Sequence, residues 1–162
     1  MIRRAEPADA EAVSRLTELR RERYEGYQPV FWRRSESSRA IHEDFLRDEL
    51  AKDDLLAYVL EIDGEVCGFV AGRFVGAPRV YAPGGETLLI DDFVVEPSED
   101  WIHLGPALLA RIWEDCQSAN AAQVVVVCGH RDDDKRQMLG NVGLSIASEW
   151  WVGKPAESGH GG

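Results

Sequence analysis

The dipeptide Asp63-Gly64, set between two apolar runs, constrains this chain more than any other feature. Leu55–Ile62 and Glu65–Val75 both mix apolar with polar residues as strands do. A two-residue link needs positive φ at both positions, which Asp tolerates and Gly favours, so the two runs read as a β-hairpin. A third strand is predicted over Thr87–Val95, after a loop with Pro78 and Pro83 and before Glu96-Pro97. Leu104, Leu108, Ile112 and Cys116 then recur at i, i+4 spacing, with Leu109 and Trp113 widening the stripe. That periodicity predicts a helix from about Leu104 to Ser118. Gln123–Cys128 contains four consecutive valines, a run apolar on both faces, which reads as a central strand parallel to a neighbour.

The flanks extend this pattern. Ile2–Arg4 is a candidate first strand, and Pro7 opens a helix with Val13, Leu16 and Leu19 on one face. Tyr24–Ser38 reads as a long loop rich in aromatics, and a second helix is expected over about 39–50 with Ile41, Phe45 and Leu46 as its stripe. His42 on that helix is expected at the surface. Three aspartates open a short helix over Asp132–Asn141, where negative charge suits a helix N-terminus, and Gly143 is a plausible cap at its end. Ser145–Val152 is a candidate last strand that would place Trp150 and Trp151 on opposite faces. The order β-α-α-β-β-β-α-β-α-β is an α/β chain with a mixed sheet and helices on its faces. We expect one domain over residues 1–153 and a flexible tail over 154–162, with His160 in solvent.

Composition narrows the function. The 162 residues carry 29 acids and 18 bases, a net charge of −11. Residues 1–50 hold 10 bases and 11 acids, so 51–162 hold the remaining 8 and 18. A nucleic-acid partner needs a basic face, and none is visible beyond the first 50 residues. No apolar run approaches the ~20 residues of a membrane span, and no apolar core follows Arg3-Arg4 as a secretion signal would require. Cys67, Cys116 and Cys128 are odd in number and widely spaced, which argues against a disulfide framework or a zinc site and for a reducing, cytoplasmic setting.

At this length the element order resembles the GNAT superfamily of acyl-CoA N-acyltransferases. The local matches are Ile2–Val13 with the family's opening strand and helix and Glu61–Gly72 with its second and third strands. Ile90–Pro97 matches its fourth strand, and Leu139–Leu144 the end of its fourth helix. The resemblance implies a GNAT fold and transfer of an acetyl group from acetyl-CoA to a primary amine, on a small molecule or a peptide end. It implies acetyl-CoA in the splay between the fourth and fifth strands, with the backbone of Val94 and Val95 along the pantetheine arm. The phosphate loop would correspond to Trp101, Ile102, His103, Leu104 and Gly105. The family pattern there is (Gln/Arg)-x-x-Gly-x-(Gly/Ala), and only Gly105 fits it. Asp100 replaces the usual Arg or Gln, His103 replaces a Gly, and Pro106 removes an N–H donor. The Tyr that serves many members as acid to the thiolate corresponds to Leu139, which has no proton to give.

Acyl transfer to an amine needs a base. Asp91 and Asp92 are strand neighbours, so at most one lines a cleft. Asp92 is the candidate base, because the resemblance places an Asp there; its alternative is pairing with an Arg. His130, just past the fifth strand, is a candidate base or proton carrier, or a surface residue. Cys128 and His130 together would suit a nucleophile, though nothing nearby orients them, and a core thiol is the alternative. Between Arg79 and Arg111 the chain has no Lys or Arg but has Glu86, Asp91, Asp92, Glu96, Glu99 and Asp100. An acidic cleft would select a cationic amine. A homodimer is compatible with this reading. The competing class is a GNAT-fold binding or interaction module that has lost coenzyme A.

Overall fold

The computed structural model describes residues 1–155. Strand β1 (Ile2–Arg4) leads through a 3-10 turn at Pro7–Asp9 into α1 (Ala10–Tyr27), followed by α2 (Ser38–Glu49). Strands β2 (Leu56–Ile62), β3 (Glu65–Val75) and β4 (Thr87–Val95) come next. A 3-10 turn at Ser98–Asp100 opens α3 (Trp101–Ser118), and β5 (Gln123–Val126) and α4 (Asp133–Asn141) complete the order. The five strands lie in the order β1-β2-β3-β4-β5. The first four are antiparallel, and β5 is parallel to β4 through the α3 crossover. The expected hairpin is present, with φ of 51° at Asp63 and 84° at Gly64.

Strand alternation sends side chains to two cores. Val70, Leu88, Ile90 and Phe93 pack against Leu108, Leu109 and Ile112 of α3. Val59, Phe69 and Val94 pack against Val13 and Leu16 of α1 and Leu46 of α2. Each such fully buried side chain contributes about 1.5–3 kcal/mol. Gly143, at φ 91°, ends α4 in the left-handed conformation expected of its cap.

Five expectations need correction. Helix α1 runs on through Tyr24 to Tyr27, so the aromatic loop is shorter than the sequence suggests; the cause is tertiary, since the Tyr24 ring packs on Trp32 and its hydroxyl is tied elsewhere. Leu19, Ile41 and Phe45 are exposed, because only Val13, Leu16 and Leu46 of these stripes reach the sheet. Helix α3 begins three residues early, at Trp101. Strand β5 is an edge strand, not a central one, and residues 145–152 form no strand. Trp150 and Trp151 are 82% and 91% exposed. Periodicity supplies a face but no hydrogen-bond partner, and among the described residues none is provided for 145–152. The tail expected over 154–162 falls almost entirely, with His160, outside the described residues. Among the described residues no helix is long and apolar enough to cross a membrane.

Candidate active site

Strands β4 and β5 pair from Thr87–Gln123 to Ile90–Val126, and Val127 N–H adds one bond to the Ile90 carbonyl at 2.9 Å. Beyond that point β5 leaves, while β4 continues to Val95. At the same place the β3–β4 register slips: Gly72 opposes Ile90 and Ala71 opposes Asp92, so Asp91 has no opposite number. Such a bulge bends its strand and re-aims the side chains that follow. The open edge of β4 thus comes from a bulge and a departing partner acting together.

Lys135 fills the parting. It sits in the first turns of α4, is 1% exposed, and its ammonium donates to the Phe93 carbonyl on β4 at 3.0 Å and to the Val127 carbonyl after β5 at 2.9 Å. The Phe93 and Trp101 rings lie 5.2 and 5.3 Å away. Among the described residues no carboxylate forms a salt bridge with it. Burial, aided by the Arg20 charge, pulls its pKa down to about 8, against the opposing influence of Asp132 and Asp92.

A cavity of about 300 Å³ opens beside Lys135, lined also by Arg20, Arg21, Tyr24, Trp32 and Asp91. Tyr24 fixes its inner wall: its hydroxyl donates to Asp132 Oδ2 at 2.7 Å and accepts the Gly129 N–H at 3.1 Å. Burial and the Asp132 charge push the phenol upward, so it stays neutral. Gly129 is confined by the same ring, since a Cβ there would meet Tyr24 Cζ at 2.8 Å.

The candidate residues separate on inspection. Asp92 faces α1 and α2, where Arg20 Nη1 lies 2.8 Å from Oδ1 and His42 Nε2 3.2 Å from Oδ2. Burial alone would raise this carboxyl; Arg20, His42 and Arg21 outweigh burial and hold it well below the usual carboxylate range. A carboxylate so held is a poor proton acceptor, and the carboxylate that lines the cavity is Asp91. His42 is therefore not a surface histidine; its Nδ1 also meets Thr17 Oγ1 at 3.0 Å. His130 stands outside the cavity lining, 77% exposed at its side chain and 3.9 Å from Glu149. Burial pushes the Cys128 thiol up to about 11, so it has none of the thiolate character a nucleophile needs.

The turn before α3 departs from a glycine cradle. Trp101 is a core residue, its ring edge-on to Phe93 at 4.7 Å, with its buried indole N–H unpartnered. Gly105 is small for packing reasons, since a Cβ would meet Met138 Cε and Trp101 Cε3 at 2.9 Å. Ile102 and Leu104 are half-buried and pack against the same core, while His103 is exposed. Glu99 and Asp100 sit in the turn that opens the helix. This helix start keeps one residue of the family's phosphate-loop pattern, Gly105, and sets two acids beside it, whereas β4 past Ile90, including Val94 and Val95, has no β5 partner. Val94 and Val95 have fully buried side chains, so their backbone alone is available.

Reasoning from sequence did not single out Lys135, Tyr24 or Arg20, and of the pair Asp91-Asp92 it chose Asp92, not the one that lines the cavity. Lys135 carried one faint signal, a lone lysine four residues before Leu139, hence on the same helix face.

The comparisons agree with this geometry. A family model described as an acetyltransferase (GNAT) domain matches residues 2–82. The fold is similar to that of a tetramutant of the BH1408 protein from Bacillus halodurans, at TM-score 0.81 and 14% identity over 96% of this chain and 99% of that one. It is similar to a predicted acetyltransferase with acetyl-CoA from Clostridium acetobutylicum, at TM-score 0.71 and 17% identity over 95% of each chain. It also resembles AAC(6')-Iy in complex with a bisubstrate analog, at TM-score 0.67 and 12% identity over 96% and 97% of the two chains. No curated protein matches the chain. With half the chain matched by the family model and the bulged, splayed β4 in place, the chain belongs to the GNAT acetyltransferase family.

Proposed function

We propose that this protein is an acyl-CoA-dependent N-acyltransferase that carries an acetyl group from acetyl-CoA to a primary amine. The observation that carries this reading is the unpaired edge of β4 beyond Ile90, opening beside a cavity that has a carboxylate, Asp91, on its wall. Coenzyme A supplies an activated acyl carbon and a thiol leaving group when bound. Beyond the Phe93 carbonyl, which Lys135 engages, the β4 backbone at Val94 and Val95 offers the strand edge that an extended amide arm can pair with. Asp91 takes the ammonium proton of the acceptor, directly or through water, in place of the Asp92 expected from the resemblance.

The acceptor expected from the acidic stretch is a cationic amine. The cavity supports a different class. Asp92 and Glu96 are engaged by Arg20 and Arg23, so of the six acids only Asp91 lines the cavity. Arg20, Arg21, Arg33 and Arg34 line it too. An amine bearing a carboxylate or phosphate is the better match.

A second reading, a binding module without catalysis, is favoured by the acids at the start of α3 and by the packed Gly105. Calorimetric titration with coenzyme A separates the two. Under the enzyme reading the protein binds, and a hundredfold excess over Kd adds about 2.7 kcal/mol of stability. Exchanging Glu99 for Gln and Asp100 for Arg then tightens binding, by removing repulsion at a helix N-terminus that otherwise favours anions. Absence of heat and of acetyl transfer across an amine panel leaves the module reading.

A further inference from the structure

We infer that Lys135 is the proton donor to the departing thiol in acyl transfer, because its ammonium stands between the Phe93 and Val127 carbonyls where β4 and β5 part, against the cavity. The inference rests on the acyltransferase reading.

Three observations converge. Helix α4 has Leu139, a core residue, at the position where the resemblance implies a phenol, and Lys135 lies one turn earlier on the same face. An ammonium has three N–H donors. The Phe93 and Val127 carbonyls claim two, and the third has no acceptor among the described residues. A fully buried ammonium without a carboxylate partner is costly, and a side chain of pure packing value would close the splay at less expense.

The groups facing Lys135 set its proton affinity. Arg20 from α1 opposes the charge; Asp92 of β4 and Asp132 at the start of α4 favour it; Cys128 after β5 faces it as a neutral thiol, and Phe93 and Trp101 contribute aromatic faces. With its pKa near 8, Lys135 is mostly protonated at neutral pH and can release its proton to a thiolate whose conjugate acid ionises near ~8.5. The step balances. The acceptor nitrogen lone pair forms the C–N bond, the C–S bond breaks with its electron pair on sulfur, and Lys135 gives sulfur its proton. The proton lost by the nitrogen leaves through Asp91 or water, and solvent reprotonates Lys135.

The test uses the whole protein and the variants Lys135→Met and Lys135→Arg. Bound coenzyme A is titrated through the ultraviolet absorbance of its thiolate. In the wild type the bound thiol ionises at lower pH than the free thiol, because the ammonium stabilises the thiolate. In Lys135→Met that shift is lost. The basic limb of kcat near pH 8 is lost in both variants, with kcat lower by about 10²-fold or more. Should Lys135→Met fail to fold, Lys135→Arg, which keeps the charge and donors, and the wild-type thiol titration still decide. A bound thiol that ionises like the free one, or a Lys135→Arg protein with the full rate and an unchanged basic limb, overturns the inference and leaves the acyltransferase reading standing. Absence of coenzyme A binding overturns both.

Discussion

Arg20, Asp92 and His42 show what a buried charge does when its partners come from three elements. Asp92 lies behind the bulge of β4, and α1 and α2 supply the guanidinium and imidazole. The Arg20 contact is a charge pair more than an aligned hydrogen bond, since the same nitrogen donates to the Phe93 carbonyl at 3.3 Å. Replacing Asp92 by Asn leaves Arg20 buried with no opposing charge and should cost about 3–5 kcal/mol in denaturant unfolding. The pH dependence has a definite sign. A carboxyl whose folded pKa is depressed stabilises above its unfolded value of ~3.9 and loses that stabilisation as pH falls through the folded one. The gap between wild type and Asp92→Asn should therefore be constant through neutral pH and close only in strong acid, below the usual carboxylate range. A gap that closed already in the neutral range would show that the Asp92 charge does not hold this contact together. The sequence displayed Asp91-Asp92 as two acids on a strand. Which one met the cavity was illegible, because the answer depends on a one-residue bulge set by β3.

At the scale of elements, what was legible was local. The Asp63-Gly64 hairpin, the i, i+4 stripe of α3 and the Gly143 cap depend on φ preferences and periodicity within a few residues, and the structure has all three. What failed depended on partners distant in sequence. Residues 145–152 have strand composition but no neighbouring edge, and the true end of α1 is set by Tyr24 reaching the loop after β5. That contact is testable. Tyr24→Phe keeps the ring against Gly129 and Trp32 but removes the hydroxyl, leaving the Gly129 N–H and a buried Asp132 oxygen unpaired. The expected loss is about 1–3 kcal/mol, read as a lower thermal midpoint. An unchanged midpoint would show that solvent reaches the Gly129–Asp132 corner, and that the end of α1 is set by ring packing alone.

For the molecule as a whole, net charge and site charge point in opposite directions. The chain carries −11 overall, yet the cavity wall has four arginines and Lys135 against Asp91. Much of that positive charge is spoken for: Arg34 meets Glu18, Glu22 and Glu25, and Arg20 meets Asp92. Arg33 is the exception, an exposed cavity residue with no carboxylate partner among the described residues. Long-range repulsion from an acidic body and short-range attraction from such an arginine respond differently to salt. At 0.1 M the Debye length is about 10 Å, so the distant acids are largely screened while a contact at the cavity wall is not. An acceptor amine bearing a carboxylate should therefore bind better than a diamine of equal size at that ionic strength, and its KM should rise as salt increases further. Arg33→Gln should raise KM for the carboxylate-bearing amine by a few-fold, in line with the ~0.2–1 kcal/mol of an exposed pair, and leave KM for a neutral amine unchanged. A diamine preferred at every salt concentration would reverse this reading and restore the cationic acceptor that the acidic stretch from 80 to 110 suggests.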